Sequence, residues 1–155
     1  MPTLQSTYSE APAKGFAGMV ANGETSNRIT RTVEDSAGIG FGVPVYRGSG
    51  DHGCTATVGT LATFLGFTIA TSAQAPVAGQ DADTYAQYDN VPVMTQGAIF
   101  VEVTGAVADG AALTVGTGAG AADGIGDTAA DATHIATGWV ADETVTDGLC
   151  RIVRR

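Results

Sequence analysis

Apolar residues alternate with polar ones in short runs along this chain, and glycine or another turn residue ends most of the runs. The alternation is clearest where Ile99, Val101 and Val103 fall on one face of a single run. A period of two places successive side chains on opposite faces of a strand, and no stretch keeps a helical period long enough for a crossover helix. Glycine fills 22 of 155 positions, about twice the usual share. The sequence therefore predicts an all-β fold, a small β-barrel or β-sandwich, with Trp139 as the largest core candidate.

Several of the predicted strands carry specific expectations. The run 60–71 is apolar on both faces, so we expect it at the centre of a sheet. Pro44 cannot donate a hydrogen bond to a neighbouring strand, so the run 39–46 is predicted to be an edge strand or to contain a bulge. The pair Gln96-Gly97 predicts a tight hairpin turn. The predicted strands are 39–46, 60–71, 91–94, 98–104, 112–115, 134–140 and 149–153.

Three segments lack the alternation of a strand. Residues 1–30 mix Pro, Ser, Thr, Gly and Asn with isolated apolar residues, which predicts an extended N-terminal arm before a β-rich domain at 31–155; residues 1–12 have a frayed tail as their alternative. Residues 72–88 form a polar loop that is long for a passive connection, so we expect a function or a partner for it. The Ala-, Gly- and Asp-rich run 106–131 is predicted to be a low-complexity loop around one short strand.

Cationic residues are confined to the two ends of the chain. The chain has seven Lys and Arg residues and 16 acidic residues, which gives a formal net charge of -9. None of the seven cations lies between Arg47 and Arg151. Binding to phosphates requires a cluster of cations, so we expect neither nucleic acid nor an anionic membrane as a partner. Residues 1–10 lack a cationic segment followed by an apolar run, so we expect no signal peptide and synthesis in a cytoplasm.

The side chains that catalysis needs are scarce, so we predict a protein that is not an enzyme and holds no cofactor. The two histidines are His52, in a predicted turn, and His134, at a strand edge. Cys54 and Cys150 are predicted to be buried thiols in a reducing compartment, although a disulfide between them stays open. Their spacing with the histidines matches no zinc site. The acidic stretch 81–89 lacks the glycine and glutamate of an EF-hand, which leaves only loose calcium binding open.

Aromatic, apolar and arginine side chains outside the predicted core are the residue types that anchor protein interfaces. They lie in or just after the predicted arm and in the long polar loop. For Phe16 and Tyr88 the alternative is a role in covering the barrel. The candidate interface residues are Leu4, Tyr8, Phe16, Met19, Arg28, Arg31, Tyr85 and Tyr88.

Six segments, in order along nearly the whole chain, carry a family likeness. The most specific is QYDNVPVMTQGAIFVEV at 87–103, and the others are GMVA at 18–21, GIGFGVPVYRG at 38–48, TFLGFTIAT at 63–71, VADGAALTVG at 107–116 and DGLCRIVRR at 147–155. With these segments the chain resembles the structural cement (decoration) proteins of tailed bacteriophages, and the run 117–132 departs from their pattern. The resemblance implies a β-rich subunit with an extended arm, located in the virion on the outer surface of the capsid, where it bridges and stabilises neighbouring major capsid proteins.

The resemblance also implies a homo-oligomer, for which a trimer at local threefold sites is the first expectation and a dimer at twofold sites the second. The alternative function is that of a carbohydrate- or receptor-binding β-module of a phage tail or cell surface. Such a module would use Tyr85, Tyr88 and Trp139 as stacking platforms.

Overall fold

The computed structural model of the protein describes residues 14–71 and 82–155, and in these ranges the chain is almost entirely β, which confirms the predicted class. Eleven strands and one short 3₁₀ helix follow each other in the two ranges. They are β1 (Asn27–Val33), β2 (Ile39–Gly40), β3 (Pro44–Arg47), β4 (Gly53–Thr55), β5 (Phe64–Thr68), β6 (Thr84–Tyr85), β7 (Asn90–Val103), β8 (Ala112–Gly116), the 3₁₀ helix (Gly118–Asp123), β9 (Ile125–Gly126), β10 (His134–Ala141) and β11 (Gly148–Arg154).

Five strands close into a barrel, so the first of the two predicted architectures is the one formed. The strand order is β1, β4, β3, β5 and β7, and β1 returns to pair with β7. β1 and β4 are parallel, and the other neighbours are antiparallel. Closure gives every barrel strand a partner on both sides, which removes free edges. The apolar side chains that these strands pack together include Val33, Val45, Cys54, Leu65, Val91 and Val93.

The long strand β7 is shared between the barrel and a second sheet. Its first half pairs with β1 and β5, and its second half, Gly97–Val103, pairs with β11 along the whole of Gly148–Arg154. The sheet continues from β11 through β10 and β8 to β9. This arrangement places a second apolar cluster, which includes Trp139, Leu113 and Ile152, next to the barrel.

The hairpin predicted at Gln96-Gly97 is wrong, because β7 runs straight through this pair. Gly97 has a φ of 126°, and a Cβ at this position would lie 2.7 Å from the Cβ of Ser26. Glycine is needed here for a close approach of the chain before β1, which is the other common reason for glycine inside a strand. The two predicted strands 91–94 and 98–104 are therefore one.

Two other predicted strands are shorter in the structure. The run 39–46 divides at Gly42, whose φ is 69° and whose Cβ would lie 2.7 Å from the backbone nitrogen of Gly18. The part that contains Pro44 is β3, and a register shift after Val45 confirms the predicted bulge. The run 60–71 begins with a turn closed at Thr63, so only Phe64–Thr68 is a strand, in the predicted central place between β3 and β7.

The prediction of an irregular loop over 106–131 is wrong for residues 118–126, which form the 3₁₀ helix and β9. Small residues allow a tight approach here: a Cβ at Gly116 would lie 1.9 Å from the carbonyl oxygen of Gly120. The backbone therefore packs against itself where side chains are too small to form a core.

The core contains the predicted tryptophan and both thiols. Trp139 is fully buried and stacks edge-on against Phe67, with ring centroids 5.3 Å apart. Cys54 and Cys150 are buried and free, in the separate barrel and second-sheet clusters. No disulfide joins them, and burial raises the pKa of each thiol to about 11.

The described part of the predicted arm lies against β7. The N–H of Gly18 donates to the carbonyl of Phe100, the N–H of Phe100 donates to Met19, and the N–H of Ala21 donates to Ala98. This short segment occupies the edge of β7 that β11 leaves free. β1 begins at Asn27, so residues 27–30, the last of the predicted arm, belong to the sheet. Residues 1–13 lie outside the described residues.

Candidate protein-binding surface

A tight turn at Phe16 and Met19 presents one of the predicted interface residues to solvent. The N–H of Met19 donates to the carbonyl of Phe16, which closes the turn. The Phe16 side chain is 56 % exposed. Met19 is half-buried, and its methyl group lies beside Gly15 and the ring of Phe100. Phe16 is therefore available to a partner, whereas Met19 mainly fixes the turn.

Tyr88 is 76 % exposed, the most exposed of the large apolar side chains in the described part of the chain. Its N–H donates to the carbonyl of Val33, and the Asp89 carboxylate accepts the N–H of Ala86. These bonds hold Tyr88 at a φ of 71°, a region that costs a side chain about 1–2 kcal/mol. Strain retained at an exposed aromatic residue is typical of a functional position.

Tyr85 is fully buried, so the expectation that it lies at an interface is wrong. It belongs to β6, which pairs with Ile39 of β2. Its hydroxyl donates to the carbonyl of Ile69, and its ring packs edge-on against Phe41. Tyr85 and Tyr88 are close in sequence, but the first closes the barrel cluster and only the second meets solvent. Leu4 and Tyr8 lie outside the described residues.

Arg28 and Arg31 point to opposite faces of β1. Arg31 is half-buried, with its Nη1 3.4 Å from Nδ1 of His52. Arg28 is exposed, and its Nε donates to the hydroxyl of Ser26. The structure therefore does not bring the two predicted arginines together.

The two ends of the sequence, which carry most of the cations, lie close together in the fold. β7 pairs with β1 along one half and with β11 along the other, so the start of β1 lies near the end of β11. Gly97 pairs with Arg154 and closely approaches Ser26, the hydrogen-bond partner of Arg28. We call the cations around these paired ends, which lie on both faces of β11, the basic patch; they are Lys14, Arg28, Arg151, Arg154 and Arg155.

Three carboxylates partly neutralise the basic patch. Exposed pairs of this kind contribute little to stability, because water and salt screen them. Arg155 lowers the pKa of Glu24 by donating a hydrogen bond to it. Arg28 and Arg154 are exposed and form no ion pair within residues 14–71 and 82–155. The ion pairs are Lys14 with Glu143 at 2.7 Å, Arg151 with Asp142 at 2.8 Å, and Arg155 with Glu24 at 3.2 Å.

Sequence reasoning missed the three C-terminal arginines as surface candidates. The signal was the cation-free stretch between Arg47 and Arg151, which leaves cations only at the ends of the chain. The two ends come together through the pairing of β1, β7 and β11. Such pairing between distant segments cannot be predicted from the pattern of neighbouring residues in the sequence. The rest of the chain holds two arginines against 13 of the 16 acidic residues.

An apolar cleft lies where the barrel, the second sheet and the arm meet, and we call it the junction groove. It has a volume of about 380 Å³ and opens between the β2–β3 connection and the 3₁₀ helix. Phe41, Val43 and Val58 are only half-buried in it. Its charged side chain is Glu102. Other residues that line it include Ala17, Thr104, Ala121 and Ile125.

Comparison with known protein families gives a match over almost the entire chain. The family described as structural cement protein (E217 gp24/Pam3 gp6) matches residues 4–155. The chain belongs to the phage structural cement protein family. The match includes the predicted arm from Leu4 onward, so in this cement protein the arm and the β core are parts of one family unit. No curated protein matches the chain.

The burial pattern of this cement protein disfavours the alternative of a carbohydrate-binding module. Two of the three aromatic platforms predicted for it, Tyr85 and Trp139, are fully buried. Stacking on a sugar requires an exposed ring face, and of these three predicted platforms only Tyr88 provides one.

The described residues of the cement protein contain neither a cluster of metal ligands nor a membrane-spanning helix. Across the described ranges, no three His, Cys, Asp or Glu side chains are arranged to hold a metal ion. In the acidic loop, the Asp89 carboxylate accepts the N–H of Ala86, while Asp81 lies outside the described residues, so calcium binding stays untested. None of the helices in residues 14–71 and 82–155 is long and apolar enough to cross a bilayer.

Proposed function

We propose that this cement protein binds the outer surface of a tailed-phage head, where it bridges neighbouring major capsid proteins and stabilises them. The observation that carries this proposal is the family match, which spans residues 4–155. The protein acts as a structural subunit and not as an enzyme, and it holds no cofactor. It is made in the host cytoplasm and incorporated into the virion.

The charge distribution supports a position outside the shell. A subunit of formal charge -9 is repelled by packaged DNA. Its contact residues with capsid proteins or with a neighbouring subunit in this proposal are the exposed Phe16 and Tyr88, the exposed Arg28, and Leu4 and Tyr8 of the arm. Phe16 and Tyr88 provide apolar anchors, and such anchors dominate the binding energy of protein interfaces.

We propose a homo-oligomer, a trimer first and a dimer second. An oligomer that contacts several capsid proteins at once gains affinity through effective concentration, even when each contact is weak. The test below therefore reports the number of subunits at each position on the head.

The proposal is tested by adding the purified protein to phage heads assembled without it. Electron microscopy should show density at one class of symmetry site on the outer surface, and decorated heads should break at a higher temperature than bare heads. Wild-type protein that leaves the heads bare would refute the proposed function.

The contribution of the arm is tested by removing residues 1–13. The described fold starts at Lys14, and the hydrogen bonds of residues 18–21 to β7 remain in this variant. We expect a folded subunit that decorates heads at least tenfold more weakly. Tyr88→Ser should weaken decoration as well, whereas Arg47→Gln, an exposed position outside the proposed contacts, should not.

A further inference from the structure

We infer that the junction groove of one copy receives the N-terminal segment 1–13 of a second copy, so that neighbouring subunits are linked by exchanged arms. This goes beyond the proposed function, because it assigns a site for self-association that exists without a capsid. The groove offers an apolar surface that the described residues leave open to solvent, and such surfaces are typical of partner sites.

The segment that would fill the groove starts at its margin. Ala17 lines the groove, and the described chain ends only three residues before it, at Lys14. Segment 1–13, MPTLQSTYSEAPA, carries Leu4 and Tyr8 as large apolar side chains and one charged side chain, Glu10. A segment with spaced apolar residues and a single charged side chain matches a groove that is lined mostly by apolar residues, because little charge has to be buried.

The course of residues 14–18 directs the segment away from the groove of its own subunit. The hydrogen bond from Gly18 to Phe100 places residue 18 at the edge of β7 that lies beside the groove. Gly15 lies over the ring of Phe100. Lys14 then reaches Glu143, whose other carboxylate oxygen accepts the N–H of Arg151 on β11.

Between residues 18 and 15 the chain thus passes over the Phe100 ring of β7, and the Lys14 side chain reaches toward β11, the neighbour of β7 at the edge that does not border the groove. Thirteen extended residues span at most about 43–47 Å, which is enough to reach an adjacent copy. Each subunit offers one arm and one groove, so the exchange closes equally in a trimer or a dimer.

Two matched positions on the 3₁₀ helix allow a direct test. Ala121 lines the groove. Its neighbour Ala122 is also exposed but does not line the groove. Neither side chain belongs to the core, so replacing either one preserves the fold. Ala121→Glu places a charge in the groove, and Ala122→Glu is the control.

Sedimentation velocity of the full-length purified protein, without heads, measures the effect. We expect Ala121→Glu and the arm variant Leu4→Ser/Tyr8→Ser each to weaken self-association at least tenfold, and Ala122→Glu to behave as wild type. An Ala121→Glu protein that associates as tightly as wild type would overturn the inference, as would a wild-type protein that is monomeric at every concentration.

Crosslinking separates exchange between copies from return of the arm to its own groove. Subunits with Leu4→Cys are mixed with tagged subunits with Ala121→Cys and treated with a short bismaleimide. A crosslink between tagged and untagged chains supports exchange, with Ala122→Cys as the control. A chain that carries both Leu4→Cys and Ala121→Cys tests the alternative. If this chain forms crosslinks only within one copy, the arm is not exchanged. Because heads are absent, either failure leaves the proposed function standing.

Discussion

Two buried tyrosines differ in what their hydroxyl groups contact. Tyr85 donates to the carbonyl of Ile69. Tyr46 is 1 % exposed, and its hydroxyl has no hydrogen-bond partner among the described residues. Burial raises the pKa of Tyr46 to about 12. A buried hydroxyl without a partner costs about 1–3 kcal/mol in desolvation, while a satisfied one is worth about 1 kcal/mol.

The same substitution should therefore have opposite effects at the two positions. We expect Tyr46→Phe to raise the free energy of unfolding by about 1 kcal/mol and Tyr85→Phe to lower it by about 1 kcal/mol. Urea unfolding of the two variants measures both changes, and each is the control for the other. Equal destabilisation by both would show that a water molecule satisfies Tyr46 in solution.

These residues also show where reading the sequence succeeds and where it stops. Trp139 could be assigned to the core because it is the largest apolar residue in an alternating strand. Tyr85 could not, because its burial depends on the pairing of β6 with β2, about 45 residues earlier in the chain. Local composition around Tyr85 is polar, so the segment predicted a loop and an exposed ring.

At the scale of elements, the sequence does not show whether a glycine marks a turn or a close approach of two backbone segments. Gly97 predicted a turn, but it lies inside β7 and accommodates Ser26. The glycines of residues 116–124 predicted an irregular loop, but their missing side chains allow a 3₁₀ helix to pack on β8. A turn and a close backbone approach both require glycine, and only the tertiary contacts distinguish them.

A histidine holds this 3₁₀ helix and the chain before β10 together. The His134 side chain is 9 % exposed, with Nε2 3.0 Å from Asp123 and Nδ1 3.2 Å from Asp131. Desolvation lowers the pKa of His134, but the hydrogen bonds and charges of Asp131 and Asp123 outweigh it and leave the pKa raised. The backbone N–H of Thr133 is the main cause that lowers the pKa of Asp131 to about 2.

Both shifts make this contact depend on pH. The raised pKa of His134 gives a stabilisation that is complete below about pH 6.5 and is lost as the pH rises through the folded-state value. The lowered pKa of Asp131 gives a second stabilisation of the folded state, which is present above about pH 4 and is lost as the pH falls toward 2. The contact is therefore strongest between about pH 4 and 6.5.

Hydrogen exchange of residues 118–133, corrected for the intrinsic rate, should show several-fold less protection at pH 8 than at pH 6. His134→Gln should abolish the difference, because glutamine does not titrate. Asp127→Asn, an exposed carboxylate in the same region, is the control and should retain it. Equal protection of the wild-type protein at both pH values would contradict this assignment.

For the whole molecule, the charge pattern sets how stability responds to salt. The formal charge is -9, and five of the seven cations are gathered in the basic patch. The acidic residues over the rest of the surface therefore repel each other with few cations between them. Self-repulsion destabilises a compact state, and salt screens it over about 10 Å at 0.1 M.

We expect the melting temperature to rise by about 2–4 °C, corresponding to about 1 kcal/mol, between 10 mM and 150 mM NaCl. A variant with Asp109→Lys and Asp127→Lys, both at exposed positions, should lose much of this response because its net charge is smaller. Differential scanning calorimetry measures the shift, and uncharged sucrose at matched osmolarity is the solvent control. A melting temperature that falls with salt would show that attractive ion pairs dominate.

The single strand β7 also determines how the subunit carries mechanical load. A force that pulls the barrel away from the second sheet is carried in part by the covalent backbone between Met94 and Ile99. To release either half, it must break a whole ladder of hydrogen bonds together, with β1 and β5 on one side or with β11 on the other. A subunit built in this way resists separation of its two halves because one unbroken strand belongs to both of them. This property suits a protein of a shell that is under pressure from within.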